Sequence, residues 1–416
     1  MTRASVEVQV ARGDDGTVRV AGPGVGPDFT RAVLDVAGAV LTWPVLEDPV
    51  PPSAEIHDVA RAQQWLWAVY GEGVAVAVQA CATGELSDVR VPADMTPLAG
   101  GAARLGFGHW AARWWPASYL DGIPALQPDV LGLELVALTH ECQQLFDDER
   151  DQPDDCVGEL IGDHQVALDP LLQWWHATPP STDTARRLER VLRAVDDAAD
   201  STESDGEALR RLRWSLAQPR PDSAPVAVDP VALFVRHDDY ALAAGEPLVA
   251  GGRVIARGAG TNDWRRYPPG FVDAAETAVS WTARALGARR QIEVEVVAHI
   301  AAPTTSGPLL VAEVGVDGVR ASRVPLARRD DVWSGRADLD LSAGETRPRI
   351  EIGVLLPGFD PGPGSEGGAD RDAIRALVRR RLATAAQPFA SNTSAYDGSS
   401  GPFLAEIAAA TTDEDY

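Results

Sequence analysis

The first part of the chain alternates between apolar and polar residues. Residues 6–10 read Val-Glu-Val-Gln-Val, residues 13–16 supply a Gly-Asp-Asp-Gly turn, and residues 18–20 read Val-Arg-Val. A period of two predicts strands, and a short turn between two such runs predicts a β-hairpin. The chain is therefore expected to open with two antiparallel strands.

Helical patterns follow this hairpin. Residues 28–39 are predicted as a helix, and a second helix is predicted to run from a cap at Ser53 to Tyr70. The apolar run 74–81 fits a buried strand as well as a helix. Together these elements predict a small α/β domain over residues 1–95.

Apolar positions recur with a helical period over residues 96–218. Thr96 followed by Pro97 is typical of a helix start, and Pro128 begins a run apolar enough to be buried on several sides. Further helices are predicted from Ser181 and over residues 168–176 and 208–216. This region reads as a Trp-rich helical domain.

The period changes from helical to strand-like after residues 219–225, a proline-rich stretch that reads as a linker. Amphipathic helices are predicted over residues 271–286 and 370–385. Strands are predicted over residues 292–300, 309–316, 319–326, 332–339 and 349–356. Residues 226–386 thus predict an antiparallel β-rich, sandwich-like domain with two flanking helices. The whole chain is predicted to be an α+β multidomain protein.

The last thirty residues have the composition of a disordered chain. Residues 387–416 are rich in Ser, Gly and Asp, which predicts a disordered acidic tail. One short apolar motif, built on Phe403, Leu404 and Ile407, interrupts it. Because Phe403 and Ile407 are four residues apart, the motif is predicted to dock as one helical turn in a partner's groove.

Composition excludes several activities. All 37 positive charges are arginine, because the 416 residues contain no lysine. Codon bias and avoidance of amine-directed modification both remain open as explanations. Without a side-chain amine the chain cannot supply a P-loop lysine, the strand lysine of a protein kinase, a pyridoxal phosphate Schiff base or a Ser–Lys dyad. The net charge of −24 argues against nucleic acid or anionic membrane as a partner.

Sequence features also bear on location. No apolar leader segment and no run of about 18 apolar residues is present, so a cytoplasmic protein is expected. The 3 cysteines are an odd number in a long chain, which predicts buried thiols rather than a disulfide framework.

The candidate metal-binding motif is incomplete. The sequence His-Glu-Cys-Gln-Gln from His140 lacks the second His that a His-Glu-x-x-His zinc site needs. A zinc site built from His140, Cys142, Cys156 and His164 is strained, because side chains two apart on a helix point in different directions. No metal is therefore predicted.

Catalytic and nucleotide-binding motifs are equally weak. The glycine-rich stretch 22–27 lacks the third glycine of a dinucleotide-binding loop, so no cofactor is predicted. His140 and His237, each followed by an acidic residue, are candidates for acid–base work in a hydrolase of unknown substrate. Nothing in the sequence assembles a catalytic site around either histidine, so enzyme activity is not favoured.

The densest aromatic segment spans residues 109–124. It contains Trp110, Arg113, Trp114, Trp115 and Tyr119. Helix packing, a partner-docking surface and a small-ligand pocket completed by Trp174 and Trp175 are all compatible with it. Trp, Tyr and Arg are frequent anchors of protein interfaces, which favours docking over a ligand pocket.

A basic stripe is predicted on the last helix. Arg371, Arg375 and Arg379 are spaced four residues apart, and Arg380 and Arg381 follow. A solvated or ion-paired face explains the spacing, and so does a docking site for an acidic segment, including the chain's own tail.

Residues 109–124 and the acidic tail with its Pro-Phe-Leu-Ala-Glu motif resemble uncharacterised actinobacterial proteins of multi-gene conflict, or immunity-like, operons. The resemblance covers a small part of the chain and includes no catalytic motif. It implies a non-catalytic component of a multi-protein system, whose partners include an ATPase or a peptidase encoded nearby.

These observations favour a cytosolic, non-enzymatic adaptor or scaffold that binds other proteins. The alternatives are a hydrolase that uses His and carboxylate side chains, and a small-ligand sensor with an aromatic pocket in the helical domain.

Overall fold

The chain has an α+β multidomain fold with two compact units. Unit 1 comprises Met1–Trp115, Leu126–Val235 and Arg379–Tyr416, and unit 2 comprises Pro116–Ala125 and Arg236–Val378. The computed structural model describes residues 5–21, 28–47, 51–94, 96–146, 153–177, 182–218, 233–234, 253–299, 302, 310–317, 319–339, 349–359, 367–387 and 401–410. The predicted linker 219–225, His237 and the glycine-rich stretch 22–27 lie outside these residues.

An antiparallel sheet forms the first part of unit 1. Its strands are β1 (Ser5–Arg12), β2 (Val18–Ala21), β3 (Arg31–Val36), β4 (Ala39–Pro44), β5 (Ser53–Ile56) and β6 (Asp88–Asp94). They are ordered β3-β4-β5-β2-β1-β6. The predicted hairpin is confirmed, because β1 pairs with β2 in antiparallel register.

Strand β3 replaces the helix predicted over residues 28–39, so that prediction is wrong. Ala32, Leu34 and Val36 are buried and alternate with exposed positions, which is the period of a strand. The β3 backbone pairs residue by residue with β4. A ladder of backbone hydrogen bonds therefore outweighs the local helical propensity of the segment.

The helix predicted from Ser53 begins later. Ser53 lies in β5, and helix α1 (Val59–Tyr70) is capped by Asp58, whose side chain accepts hydrogen bonds from the amides of Ala60 and Arg61. The ambiguous run 74–81 is helical and lies in α2 (Glu72–Thr83).

The rest of unit 1 is mainly helical, as predicted. Thr96 caps α3 by accepting a hydrogen bond from the Ala99 amide. The helices are α3 (Pro97–Trp114), α4 (Pro128–Glu141), α5 (Pro153–His164), α6 (Leu168–His176), α7 (Thr182–Ser201) and α8 (Glu207–Ala217), and later the last part of α9 (Gly368–Ala386), from Arg379 on, and α10 (Leu404–Ala410). The first part of α9 belongs to unit 2. Among the described residues, no helix combines the length and the apolar character needed to cross a bilayer.

The predicted boundary between residues 95 and 96 does not separate two domains. Helix α3 packs on β3, and Gly106 lets the ring of Trp43 approach the helix, since a Cβ there would lie 3.1 Å from that ring. The indole of Trp110 donates a hydrogen bond to the Phe29 carbonyl over 2.7 Å. The apolar face of the sheet must be buried against another layer, and helices of the same unit pack on it.

Unit 2 contains two antiparallel sheets. One is ordered β12-β13-β9-β8-β7 and the other β11-β10-β14. The strands are β7 (Arg253–Ala259), β8 (Val279–Leu286), β9 (Arg289–Val297), β10 (Val311–Val316), β11 (Val319–Pro325), β12 (Ala327–Arg329), β13 (Val332–Asp338) and β14 (Ile350–Leu355). This is the β-rich region predicted from the period of two.

The helix predicted over residues 271–286 is wrong. Glu276–Ala278 form a single 3-10 turn, and residues 279–286 form strand β8. Gly287 has a φ of +64°, which allows the tight turn that pairs β8 with β9. The hairpin partner therefore decides the structure of this segment.

Close helix packing around Gly132 gives a first testable prediction. A Cβ at Gly132 of α4 would overlap the ring of His164 on α5, so Gly132→Ala is expected to destabilise unit 1 by about 1–3 kcal/mol. Gly162→Ala on α5 is the matched control. Because no atom lies within 4 Å of a Cβ at Gly162, that change is expected to stabilise the helix by about 0.5–1 kcal/mol. Urea unfolding of the two variants measures the difference, and equal effects would contradict it.

Candidate functional site

The C-terminal segment 401–410 docks on the helical part of unit 1. Phe403 is 1% exposed, and Leu404 and Ile407 are buried with it. Disorder, predicted for residues 387–416, is therefore wrong for this segment, which forms α10. The three residues lie on one short helix that docks on their own chain, and docking in a partner's groove stays a prediction.

Phe403 is the apolar anchor of this segment. Its ring stacks on Phe107 at 6.1 Å with an interplanar angle of 1°, and the guanidinium carbon of Arg104 lies 4.4 Å from its ring centre. Gly108 leaves the space for it, because a Cβ there would come within 3.3 Å of the Phe403 ring. Stacking and cation–π contact fix the ring in one orientation.

Glu406 is fully buried and holds the start of α10. Its carboxylate receives two hydrogen bonds from Arg381, over 2.6 and 2.8 Å. It also accepts the backbone N–H of Phe403 over 2.7 Å, which is the glutamate half of a capping box. Arg381 in turn lies over the ring of Phe107 at 4.4 Å. One carboxylate thus satisfies the helix terminus and pairs with α9.

Glu134 of α4 also contacts the first turn of α10. Its carboxylate is 2% exposed, accepts the Ala405 amide over 3.2 Å and lies 3.8 Å from Arg104. Burial raises the pKa of Glu134 to about 7, although the positive charges of Arg104 and Arg187 lower it. A carboxyl group that titrates near neutrality therefore lies directly under the docked segment.

Two further arginines contact the residues before Phe403. Arg104 donates to the Gly401 carbonyl over 2.6 Å, and burial lowers the pKa of Arg104 to about 10, so it stays charged at neutral pH. A Cβ on Gly401 would lie 2.5 Å from Arg187, so the guanidinium approaches this backbone closely. We call the site the tail groove, lined by Arg104, Phe107, Gly108, Glu134, Arg187 and Arg381.

The aromatic segment 109–124 is divided between the two units. Trp110 is buried, and the edge of Trp114 packs on Phe29 at 6.3 Å. Arg113 is exposed over Trp114, Trp115 is half-buried, and Tyr119 belongs to unit 2, where it is 65% exposed. The docking surface predicted from these five residues is corrected accordingly, since Trp110 is a core residue.

The predicted arginine stripe is also divided. Arg371 and Arg375 are buried in unit 2, where both pair with Glu276, at 2.5 and 3.2 Å. Their guanidinium groups form ion pairs in the interior of unit 2, so they are not available to bind a partner at the surface. Arg379 is exposed, and Arg381 is the arginine of this helix that binds the acidic tail segment.

A second polar cluster, in unit 2, surrounds Asp273. Ser118 donates to Asp273 over 2.7 Å and accepts the Asp121 amide over 2.9 Å, while the Tyr119 amide donates to the other Asp273 oxygen. The Ser118 hydroxyl thus links the loop that contains Asp121 to Asp273, and the cluster fixes the shape of that loop.

The histidines and cysteines are dispersed. His164 lies 3.2 Å from Asp129, and burial raises the pKa of Cys142 to about 12, so this thiol stays protonated. In the part of the chain that the structure describes, no three His, Cys, Asp or Glu side chains converge as metal ligands. His237 and the side chain of Cys156 lie outside that part.

Of the residues predicted to line an aromatic ligand pocket, Trp174 and Trp175 lie together on α6, where both are buried. The Trp174 ring packs edge-on against Phe234, with 6.1 Å between the ring centres. A sensor with a pocket in this region stays a prediction.

The tail groove is not predicted by the sequence patterns described above, although one signal for it is present. Glu134 is the single charged residue within the apolar run 130–138, and a fully buried acid in such a run is rare unless it has a partner. Nothing in the sequence distinguishes Arg104, Arg187 and Glu406 from other charged residues. They form a site only because the fold brings them together.

Comparisons with protein-family models, with curated proteins and with solved structures found no match to this chain.

Proposed function

We propose that this protein is a non-enzymatic, cytosolic adaptor or scaffold, and that the tail groove is its regulated protein-binding surface. The observation that carries the proposal is the burial of residues 403–409 of the chain's own tail in that groove, with Glu406 paired to Arg381. In the closed state the tail occupies the groove, and in the open state a partner takes its place.

The chemistry of the docked segment supports a reversible contact. An isolated seven-residue helix is not stable in water, so α10 is helical only while it is docked. Buried ion pairs add little net stability because desolvation offsets their attraction, but they select one partner and one register. Where α10 docks, Glu406 of the segment and Glu134 of α4 lie among the guanidinium groups of Arg104, Arg187 and Arg381.

A wider context follows from the resemblance to actinobacterial proteins of multi-gene conflict systems. We propose that the partners are other proteins of such a system, with an ATPase or peptidase encoded nearby as the first to test. The net charge of −24 favours partners with a basic surface.

Affinity capture from the native host with three full-length chains tests the proposal. The wild type is closed, Phe403→Ala removes the apolar anchor of the tail, and Phe403→Ala combined with Arg381→Glu also reverses a groove charge. We expect Phe403→Ala to recover a partner several-fold more strongly than wild type, and the double variant to lose it.

A chain that ends at Gln387 is expected to behave like Phe403→Ala, because both empty the groove. Equal partner recovery from all of these chains would show that the groove binds no partner, and the adaptor function would then need another surface.

A further inference from the structure

Each residue at the start of the docked segment is recognised by a separate feature of the groove. A Cβ at position 401 would lie 2.5 Å from a guanidinium nitrogen of Arg187, so a larger residue there requires the Arg187 side chain to shift. Arg104 donates to the carbonyls of Gly401 and Pro402, over 2.6 and 3.4 Å. Phe403 then enters the space beside Gly108. These contacts hold the backbone of Gly401 and Pro402 and select an aromatic ring at position 403.

The next requirement is a carboxylate three residues after the aromatic ring. Glu406 reaches the Arg381 guanidinium with both oxygens and caps its own helix with one of them. An uncharged residue at this position loses the paired charge-assisted hydrogen bonds, which are the stronger class of hydrogen bond. Residues 407–409, which follow, are Ile-Ala-Ala and buried, so this part of the groove selects apolar and mostly small side chains.

Charge points to the same ligand. Without the tail, the groove holds the guanidinium groups of Arg104, Arg187 and Arg381 against the single carboxyl group of Glu134. The empty groove is therefore positively charged, although the net charge of the chain is −24. A short acidic segment therefore complements it, whereas a second copy of this strongly acidic chain is repelled before its tail can reach the groove.

We infer that the open tail groove binds, in trans, a peptide segment of a partner protein with an aromatic residue, two apolar residues and then Glu, followed by apolar and mostly small residues, and that the chain's own tail is its competitor. This inference deepens the proposed function by naming the chemistry of the partner. The segment folds into one short helix as it binds, as the tail does.

Peptide binding to the folded protein tests the inference. A protease site is inserted between Gln387 and Gly401 of the full chain, the folded protein is cleaved, and a labelled peptide with the sequence of residues 400–410 is added. Fluorescence anisotropy reports its binding. The uncleaved chain should bind the peptide on the order of 100-fold more weakly, because its tethered tail has a high effective concentration.

Peptide variants supply matched controls that cannot unfold the protein. Replacing the Phe by Ala is expected to weaken binding by on the order of 100-fold, and replacing the Glu by Gln by about 10-fold. Replacing the Gly before the Pro by Val should weaken binding less than the loss of the Phe, because the Arg187 side chain can shift to make room. If the cleaved tail stays bound, full-length Phe403→Ala, checked for folding by circular dichroism, gives the same comparison.

Equal binding of the parent peptide and its Phe→Ala variant, or no binding of the parent peptide to the open groove, would overturn the inference. The two proposals fail separately. Selective peptide binding with no partner recovered from the host supports this inference alone, and a groove-dependent partner that lacks the pattern supports the proposed function alone.

Discussion

Replacement of Phe403 by Ala is expected to release the tail helix while both units stay folded. A buried Phe→Ala change costs about 3–5 kcal/mol, here through loss of the stack on Phe107 and the contact with Arg104. Because α10 has only seven residues, it does not keep its helix without these contacts. The docking equilibrium should therefore shift by on the order of 100-fold or more towards the undocked state.

Hydrogen exchange followed by mass spectrometry measures this release. Backbone amides of residues 404–410 should exchange much faster in Phe403→Ala than in wild type, while those of the sheet in unit 1 keep their protection. Trp67→Ala serves as the control, because it removes a large aromatic ring that is 57% exposed and should leave the exchange of 404–410 unchanged. Loss of protection throughout unit 1 would instead mean that Phe403 is a general core residue.

Glu134 is expected to make the stability of unit 1 depend on pH. Burial raises its pKa from 4.5 to about 7, so the folded state binds more protons than the unfolded state between these values. The cost of ionising the buried group is absent below about pH 4.5, grows as the pH rises and is complete above about pH 7. Glu134→Gln removes this cost and should stabilise the protein by about 2–3 kcal/mol more at pH 8 than at pH 5.

Urea unfolding of wild type and Glu134→Gln at the two pH values tests this expectation. Arg104 on α3 and Arg187 on α7 are the charged side chains that act on Glu134, and Arg104, with a pKa of about 10, stays charged over the whole range. Glu141→Gln, at the exposed end of the same helix, is the matched control, because it removes a carboxyl group that is not buried. A pH-independent effect of Glu134→Gln would show that the carboxyl group is already ionised at pH 5.

Local signals predicted the helices and strands wherever the residues that decide them are adjacent in sequence. The cap at Thr96, the proline at the start of α4 and the alternation that produces β1 and β2 are such cases, and all are confirmed. The helices predicted over residues 28–39 and 271–286 are wrong, because these segments form strands that pair with β4 and β9. Local propensity does not include the effect of such a hairpin partner.

The sequence by itself determined the class of the fold, the absence of lysine chemistry and the apolar, acidic character of the tail motif. Only the tertiary structure decided where that motif lies. Four different helices supply the charged side chains of the groove, which are Arg104, Glu134, Arg187 and Arg381. Their charges interact strongly only because packing removes the water between them. The same packing turned Arg371 and Arg375 from a predicted surface stripe into interior ion pairs. Burial and distance control the strength of an electrostatic interaction, and neither is a property of the linear sequence.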